Sequence, residues 1–395
     1  MLLAAVLASQ AQAAPLLKDG DRLVFLGDSI TEQRIHTRFV MAYFTLRYPD
    51  AKISFRNAGL AGDCAPGGLN RLQRDVLSLK PTVVSICFGM NDGGYGEFNQ
   101  AGFDTYMTGM TGLVAELKKA NVRVVLLTPG CVDADRWPGL EAYNATLARF
   151  AQGVKQLAEK EKLPVFDIHA LMLDVQTRAK KDDPRFTMIP DSVHPSEPGQ
   201  LVMAYGLLKA LGCTDQPSSV TLSANDAKAA TERCTVTDVK ASDETVSFTR
   251  TDKALPAWIS PRAVPVLKYL PFTEELNSYR LAVTGLKAGK WKLTVRGKGV
   301  GTFTANELAK GVDLSAKPGP WQPLGMQVNS LSAEQENLYI ARWRQVSLGI
   351  FAQAAQPEVD TLLKKLDELI DAKEAERLGT VAGDRAWKWV LTFVK

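Results

Sequence analysis

The sequence predicts an α/β fold: a doubly wound parallel sheet, followed by a small C-terminal β region and a helical tail. Three observations predict it. Apolar runs of strand length alternate with helix-like periodic segments through the first half. Short β-rich segments punctuated by glycine turns then replace that alternation. Helical periodicity returns near the end, where Leu362, Leu363, Leu366, Leu369 and Ile370 recur at helical spacing.

Taken in order, the expected strands of the first half lie at 22–26, 52–56, 82–88, 123–128 and 163–168. The expected helices lie at 31–48, 68–79, 102–120, 140–162 and 198–211. In the β region, strands are expected at 218–222, 235–239, 244–249, 278–283 and 290–296, forming a small antiparallel domain. Gly285-Leu286-Lys287-Ala288-Gly289 reads as a hairpin connection and Gly297-Lys298-Gly299 as another turn. Helices at 332–349 and 357–377 suggest a hairpin packed on another part of the chain. The resulting division is a leader at 1–13, an α/β domain at 14–213, a β domain at 214–325 and a helical tail at 326–395.

Composition excludes several classes. The 395 residues are 46% hydrophobic and 23% charged, with a net charge of +4, which is ordinary for a globular protein. No dense basic stripe with interleaved aromatics is present, so no nucleic-acid partner is expected. Beyond the amino terminus, no apolar run approaches membrane-spanning length. The first residues form an apolar core followed by Ala11-Gln12-Ala13, an A-x-A cleavage signal without the usual preceding basic residues, so an export signal ending after Ala13 is expected. The five cysteines match no zinc spacing, and no metal or cofactor is expected. Cys213 and Cys234 flank the end of the first domain, where they are candidates to pair.

The chemistry-bearing segments lie at strand ends. In Val24-Phe25-Leu26-Gly27-Asp28-Ser29-Ile30-Thr31 an apolar run ends in Gly-Asp-Ser and a helix pattern follows. That places the Ser29 hydroxyl at the carboxyl end of a strand and the amino end of a helix, where developing negative charge is favoured. Ser29-Ile30-Thr31-Glu32 also fits a capping box, which would make Ser29 a helix cap. Asn57-Ala58-Gly59-Leu60-Ala61-Gly62-Asp63 follows the second strand, and its glycines allow close backbone approach to a ligand. Gly89-Met90-Asn91-Asp92 closes the third strand, where Asn91 can aim its amide at an oxyanion or simply make a turn. In Asp191-Ser192-Val193-His194-Pro195 a carboxylate three residues before an imidazole can accept its Nδ1–H and leave Nε2 free as a base. Of the three histidines, only His194 has an acid at this spacing before a helix start.

Together these four segments, in this order, resemble the GDSL esterases, also called SGNH hydrolases, over about 21–212. The resemblance implies a flavodoxin-like α/β domain. It places the family's four eponymous residues on Ser29, Gly62, Asn91 and His194, and its triad acid on Asp191. Gly62 matches rather than Gly59, because the family's loop glycine precedes an acidic or polar residue, here Asp63. The implied reaction is acyl transfer to water. Ser29 attacks the ester, His194 serves as base and Asp191 orients the imidazole, with oxyanion donors from Ser29, Gly62 and Asn91. The C-terminal half resembles accessory regions of exported bacterial members. The expected substrate is a short-chain, acetyl ester on carbohydrate, either polysaccharide or small molecule. The alternatives are a lipid-type esterase (lysophospholipase) or thioesterase, acyl transfer to another sugar, and a carbohydrate-binding protein with an inactive hydrolase half. Tyr95 and Phe98 are candidate substrate contacts or loop packing. Trp137 is a similar case, and Trp258, Trp291 and Trp321 are candidates for a stacking surface or for core.

Overall fold

The computed structural model describes residues 15–137, 139–214, 218–348, 356–383 and 385–395. The expected leader lies outside them.

The first half builds one all-parallel sheet from β1 (Arg22–Gly27), β2 (Ser54–Gly59), β3 (Val83–Cys87), β4 (Arg123–Leu127) and β5 (Val165–Phe166), in the order β2-β1-β3-β4-β5. Its helices are α1 (Ser29–Glu32), α2 (Ile35–Arg47), α3 (Ala65–Asn70), α4 (Leu72–Asp75), α5 (Gln100–Lys119), α6 (Tyr143–Glu161), α7 (Ile168–Asp182) and α8 (Glu197–Ala210). Alternation along the strands separates two cores. Leu23, Phe25, Phe55, Val83 and Leu127 face α2, α7 and α8. Val24, Leu26, Val84, Ile86 and Leu126 face α4, α5 and α6. Burial on both faces is why these strands read as continuous apolar runs.

The helix expected at 31–48 is two helices, α1 and α2, broken where Arg34 adopts a left-handed φ of 61°. The strand expected at 163–168 is shorter, because Asp167 caps α7 by accepting the Ala170 N–H at 3.1 Å. That helix was absent from the sequence expectation, although Asp167 followed by Leu171, Met172 and Val175 is a legible start signal.

The second half contains β6 (Ser218–Ser223), β7 (Lys228–Glu232), β8 (Cys234–Ala241), β9 (Thr245–Asp252), α9 (Phe272–Leu276), β10 (Tyr279–Thr284), β11 (Lys290–Val295), β12 (Lys298–Thr304), α10 (Ala305–Lys310) and β13 (Val312–Asp313). These lead to α11 (Trp321–Ile340), a π-helical turn (Ala341–Ser347), α12 (Gln356–Gly379) and β14 (Ala386–Val394). Two sheets form, ordered β13-β10-β6-β7 and β12-β11-β14-β9-β8.

Three expectations need correction. The β region is not purely antiparallel, since β10 runs parallel to β6. The helix expected from 332 begins at Trp321, whose ring stacks on Trp389 at 5.9 Å and belongs to the sandwich core. The tail expected to be helical to its end instead closes with β14, which inserts between β9 and β11. Its Trp387, Trp389 and Leu391 are buried on one face. Trp291 and Trp321 are likewise buried, so with Trp258 they form no stacking surface. The turn expected at 297–299 is the two-residue Arg296-Gly297 loop between β11 and β12, with φ of 51° and 76°. All five cysteines are free thiols, Cys213 and Cys234 included.

The α11–α12 hairpin packs on α2 and β2 rather than standing apart. Arg34 reaches Asn337 (2.9 Å), Thr37 reaches Glu336 (2.5 Å) and Arg56 reaches Glu374 (3.1 Å). Fully buried Arg377 contacts Thr45 and the Ile53 carbonyl. Among the described residues no helix is long and apolar enough to cross a membrane.

The two C-terminal sheets meet around Arg250, which is wholly buried. It pairs with Asp252 at 2.9 Å, donates to the Ser218 carbonyl at 2.9 Å and lies 4.1 Å from the Tyr279 ring centroid. Removing one partner of such a pair strands a buried charge. Arg250→Met is therefore expected to cost about 3–5 kcal/mol in denaturant unfolding, whereas an exposed pair such as Lys365–Glu368 should cost under about 1 kcal/mol.

Candidate active site

The strand order reverses at β1, which hydrogen-bonds β2 on one side and β3 on the other. Ligand sites of open α/β sheets form at such a point, beyond the strand carboxyl ends. The segments after β1, β2 and β3 carry Ser29, Gly62 and Asn91, and the loop before α8 brings His194 and Asp191.

Ser29 is the first residue of α1, not its cap. Asp28 caps the helix, its Oδ1 accepting the Ile30 N–H at 3.0 Å. Nor does Glu32 reach back as a capping-box partner. It accepts the Ala61 N–H at 2.6 Å and the Arg344 guanidinium at 2.9 Å. The capping-box reading of Ser29 therefore fails, and its hydroxyl lies 2.9 Å from His194 Nε2.

His194 Nδ1 is 2.8 Å from Asp191 Oδ2. Asp191 Oδ1 accepts the backbone N–H groups of Val193 (3.0 Å) and His194 (2.7 Å). Partial burial opposes ionisation of Asp191, but these bonds and the imidazole outweigh it and hold the carboxyl below its ordinary value. With Nδ1–H donated to this carboxylate, Nε2 presents its lone pair to Ser29. The geometry requires Ser192 to take a left-handed φ of 74°, a strained state held by Asp133 N–H bonding to its carbonyl at 3.0 Å. The other histidines are core residues: His36 bonds Gln200 and His169 bonds the Gly130 carbonyl.

Gly62 occupies the third position of a turn closed by Asp63 N–H bonding to the Leu60 carbonyl at 3.1 Å. Its φ of 73° is the conformation that favours glycine there. Gly59 serves packing instead, since a Cβ there would lie 2.3 Å from the Glu32 nitrogen. Asn91 donates one amide hydrogen to the Asp63 carbonyl at 2.7 Å and accepts the Tyr95 hydroxyl at 2.7 Å. Its amide is thus fixed in orientation with a second N–H still to donate.

Tyr95 accordingly orients Asn91, a role the sequence reading did not assign, and its ring lies 5.2 Å from that of Tyr143. Phe98, the other candidate, lies on the opposite side of the sheet from Tyr95. It packs with Phe103 and Phe150 in the core facing α5 and α6, with Arg149 4.4 Å from its ring centroid. Its position after the Asn91 loop gave no sign of that direction. Trp137 is exposed on the loop after β4.

Three aspartates lie behind the site. Asp92 accepts the Ala65 N–H (2.8 Å) and the Gly89 N–H (3.0 Å), tying the second and third loops together. Asp63 pairs with Arg71 at 2.7 Å. Burial, reinforced by the Asp92 and Asp63 charges, pushes Asp28 up to about 7. Burial likewise pushes Asp92 up to about 6. Among the described residues no cluster of His, Cys, Asp and Glu could hold a metal ion.

The chain is similar to known proteins. Residues 25–202 match the GDSL-like lipase/acylhydrolase family. An acetylxylan esterase of Geobacillus stearothermophilus is 26% identical over 219 residues, covering 49% of this chain and 94% of that protein. The solved structure of a gut microbial diltiazem-metabolizing enzyme superposes with a TM-score of 0.85 at 26% identity, covering 97% of this chain and 99% of that one. Fold and site together define a carboxylic ester hydrolase of the SGNH type. The part of the chain that matches the GDSL-like lipase/acylhydrolase family is residues 25–202.

A carboxyl whose folded value is raised makes the native state bind the extra proton. Stability then falls as pH rises from the unfolded value near 3.8 to about 7, and is level above that. Asp28→Asn keeps the cap and removes this loss. It should melt higher than wild type at pH 8, match it near pH 4, and flatten a slope of at most about 1.4 kcal/mol per pH unit between them. Melting temperatures across pH 4–8 check this.

Proposed function

We propose that this chain hydrolyses short-chain esters, acetyl above all, on carbohydrate through a covalent acyl-enzyme at Ser29. The observation that carries the reading is the unbroken hydrogen-bond chain from Asp191 through His194 to Ser29. In this reading His194 Nε2 takes the Ser29 proton as Oγ attacks the acyl carbon. The carbonyl oxygen becomes an oxyanion held by the Ser29 N–H, the Gly62 N–H and the Asn91 amide. As the tetrahedral species collapses, His194 gives its proton to the departing alcohol. Water, deprotonated by His194, then attacks the acyl-enzyme and releases the acid and free Ser29. Asp191 holds the imidazole in the right tautomer and stabilises its charged form.

Support for an acetyl ester on a sugar comes from the acetylxylan esterase relative. Support for a small molecule as the alternative to a polymer comes from the diltiazem-metabolizing enzyme, whose likeness extends through the C-terminal half. We also propose export, on the apolar segment and A-x-A signal of the first residues.

The test is acetate release from acetylated xylan, with a short and a long nitrophenyl ester alongside. Serine-dependent release with the short ester preferred is expected. Preference for the long ester moves the substrate to lipids, and activity on nitrophenyl acetate but not on xylan favours the small molecule. A folded wild type inert on all three sinks the reading. Ser29→Ala should abolish turnover. Asn91→Ala should lower kcat by about 10²–10³, and Tyr95→Phe, which only frees the amide to rotate, by less.

A further inference from the structure

In the esterase reading the Gly62 turn carries one of the oxyanion donors. Ala61 and Gly62 are exposed, and a Cβ on Gly62 would meet nothing within 4 Å. An exposed turn tip is mobile unless something ties it down. Here the ties converge from the far end of the chain.

The first is polar. Ala61 N–H donates to Glu32 Oε2 at 2.6 Å, and Glu32 Oε1 accepts Arg344 Nη1 at 2.9 Å. The second is apolar: Leu60 packs on the cluster of Tyr339, Trp343 and Ile370 from the two helices and the π-helical turn. The third passes through Asp63, whose carboxylate takes Arg71 Nε at 2.7 Å. Arg71 also donates to the Gly27 carbonyl at 3.2 Å, and its guanidinium centre lies 5.7 Å from the Trp343 ring centroid. Arg344 lies 5.7 Å from the same ring. Because Asn91 also donates to the Asp63 carbonyl, the segment held this way positions both donors supplied from outside α1. Trp343 and Arg344 lie in the π-helical turn, a departure from α geometry often found at functional sites.

Resting on the Ser29 esterase reading, we propose that the C-terminal hairpin is a clamp on the oxyanion hole, with Arg344 as its positioning residue acting through Glu32. Arg344 touches no reacting atom. It fixes the carboxylate that fixes the Ala61 N–H, and so the direction of the neighbouring Gly62 N–H. Such a residue affects the transition state more than ground-state binding, so its loss shows in kcat and spares KM.

The test is steady-state kinetics of the full chain on a short nitrophenyl ester. Arg344→Met is expected to lower kcat about tenfold, short of the loss of a whole donor, with KM within about twofold. Arg344→Lys should recover part of it. In a Glu32→Gln background Arg344→Met should cost little more. Arg342→Met removes a comparable ion pair within the hairpin, to Asp367 at 2.5 Å, and should behave as wild type. The proposal is overturned if Arg344→Met keeps wild-type kcat, if KM rises while kcat holds, or if Arg342→Met loses as much. Should Arg344→Met not fold, Glu32→Gln alone breaks the same pair; a lowered kcat with unchanged KM supports the clamp, and wild-type kinetics overturns it. Turnover surviving in Ser29→Ala would instead defeat the esterase reading, so the two failures are distinguishable.

Discussion

Everything at the site depends on one constraint, the hydrogen bonding of β1 between β2 and β3. Parallel register aligns Gly27 with Gly59 on one side and with Cys87 on the other. Three strand ends therefore open at one level, and three chain segments leave into the same crevice. The serine, the loop glycine and the asparagine are far apart in sequence, yet none needs a long excursion to meet the others. The imidazole is the one group brought from elsewhere, and a strained Ser192 is the local cost of presenting it with its carboxylate.

The buried aspartates behind that crevice act as structural fasteners. Asp28 closes the start of α1, Asp92 joins the Asn91 loop to the start of α3, and Asp63 anchors Arg71. Their mutual repulsion works against the fold at neutral pH. It is tolerated because each carboxylate meets N–H donors at fixed positions, and these hold the loops in one arrangement.

The site was more legible in the sequence than the second half of the fold. Ser29, Gly62, Asn91, Asp191 and His194 each sit at a strand end or helix start with a residue type suited to it, so local pattern and chemistry agree. Orientation was not legible: Tyr95 and Phe98 are three residues apart, yet one faces Asn91 and the other the opposite core. The β strands were read where one face is buried. They were missed in β7, which is exposed throughout, and in β12, where glycines interrupt the alternation. For β14 the alternation of Trp387, Trp389 and Leu391 was present, but the preceding helical pattern overshadowed it. The contacts of Glu32 and Arg344 join residues from opposite ends of the chain, which no local pattern reports.

The position of β14 has a consequence for how the molecule is made. This central strand of the larger C-terminal sheet is far along the chain from the partners it joins, so β9 and β11 are synthesised well before it. Until it arrives, both present unpaired edges, and the Trp389 side of the sandwich has nothing to close on. The sandwich therefore completes only once β14 has been made, through contacts of long sequence separation, which form slowly. A chain cut before β14 lacks the strand that joins the two halves of that sheet, although its whole α/β half is present.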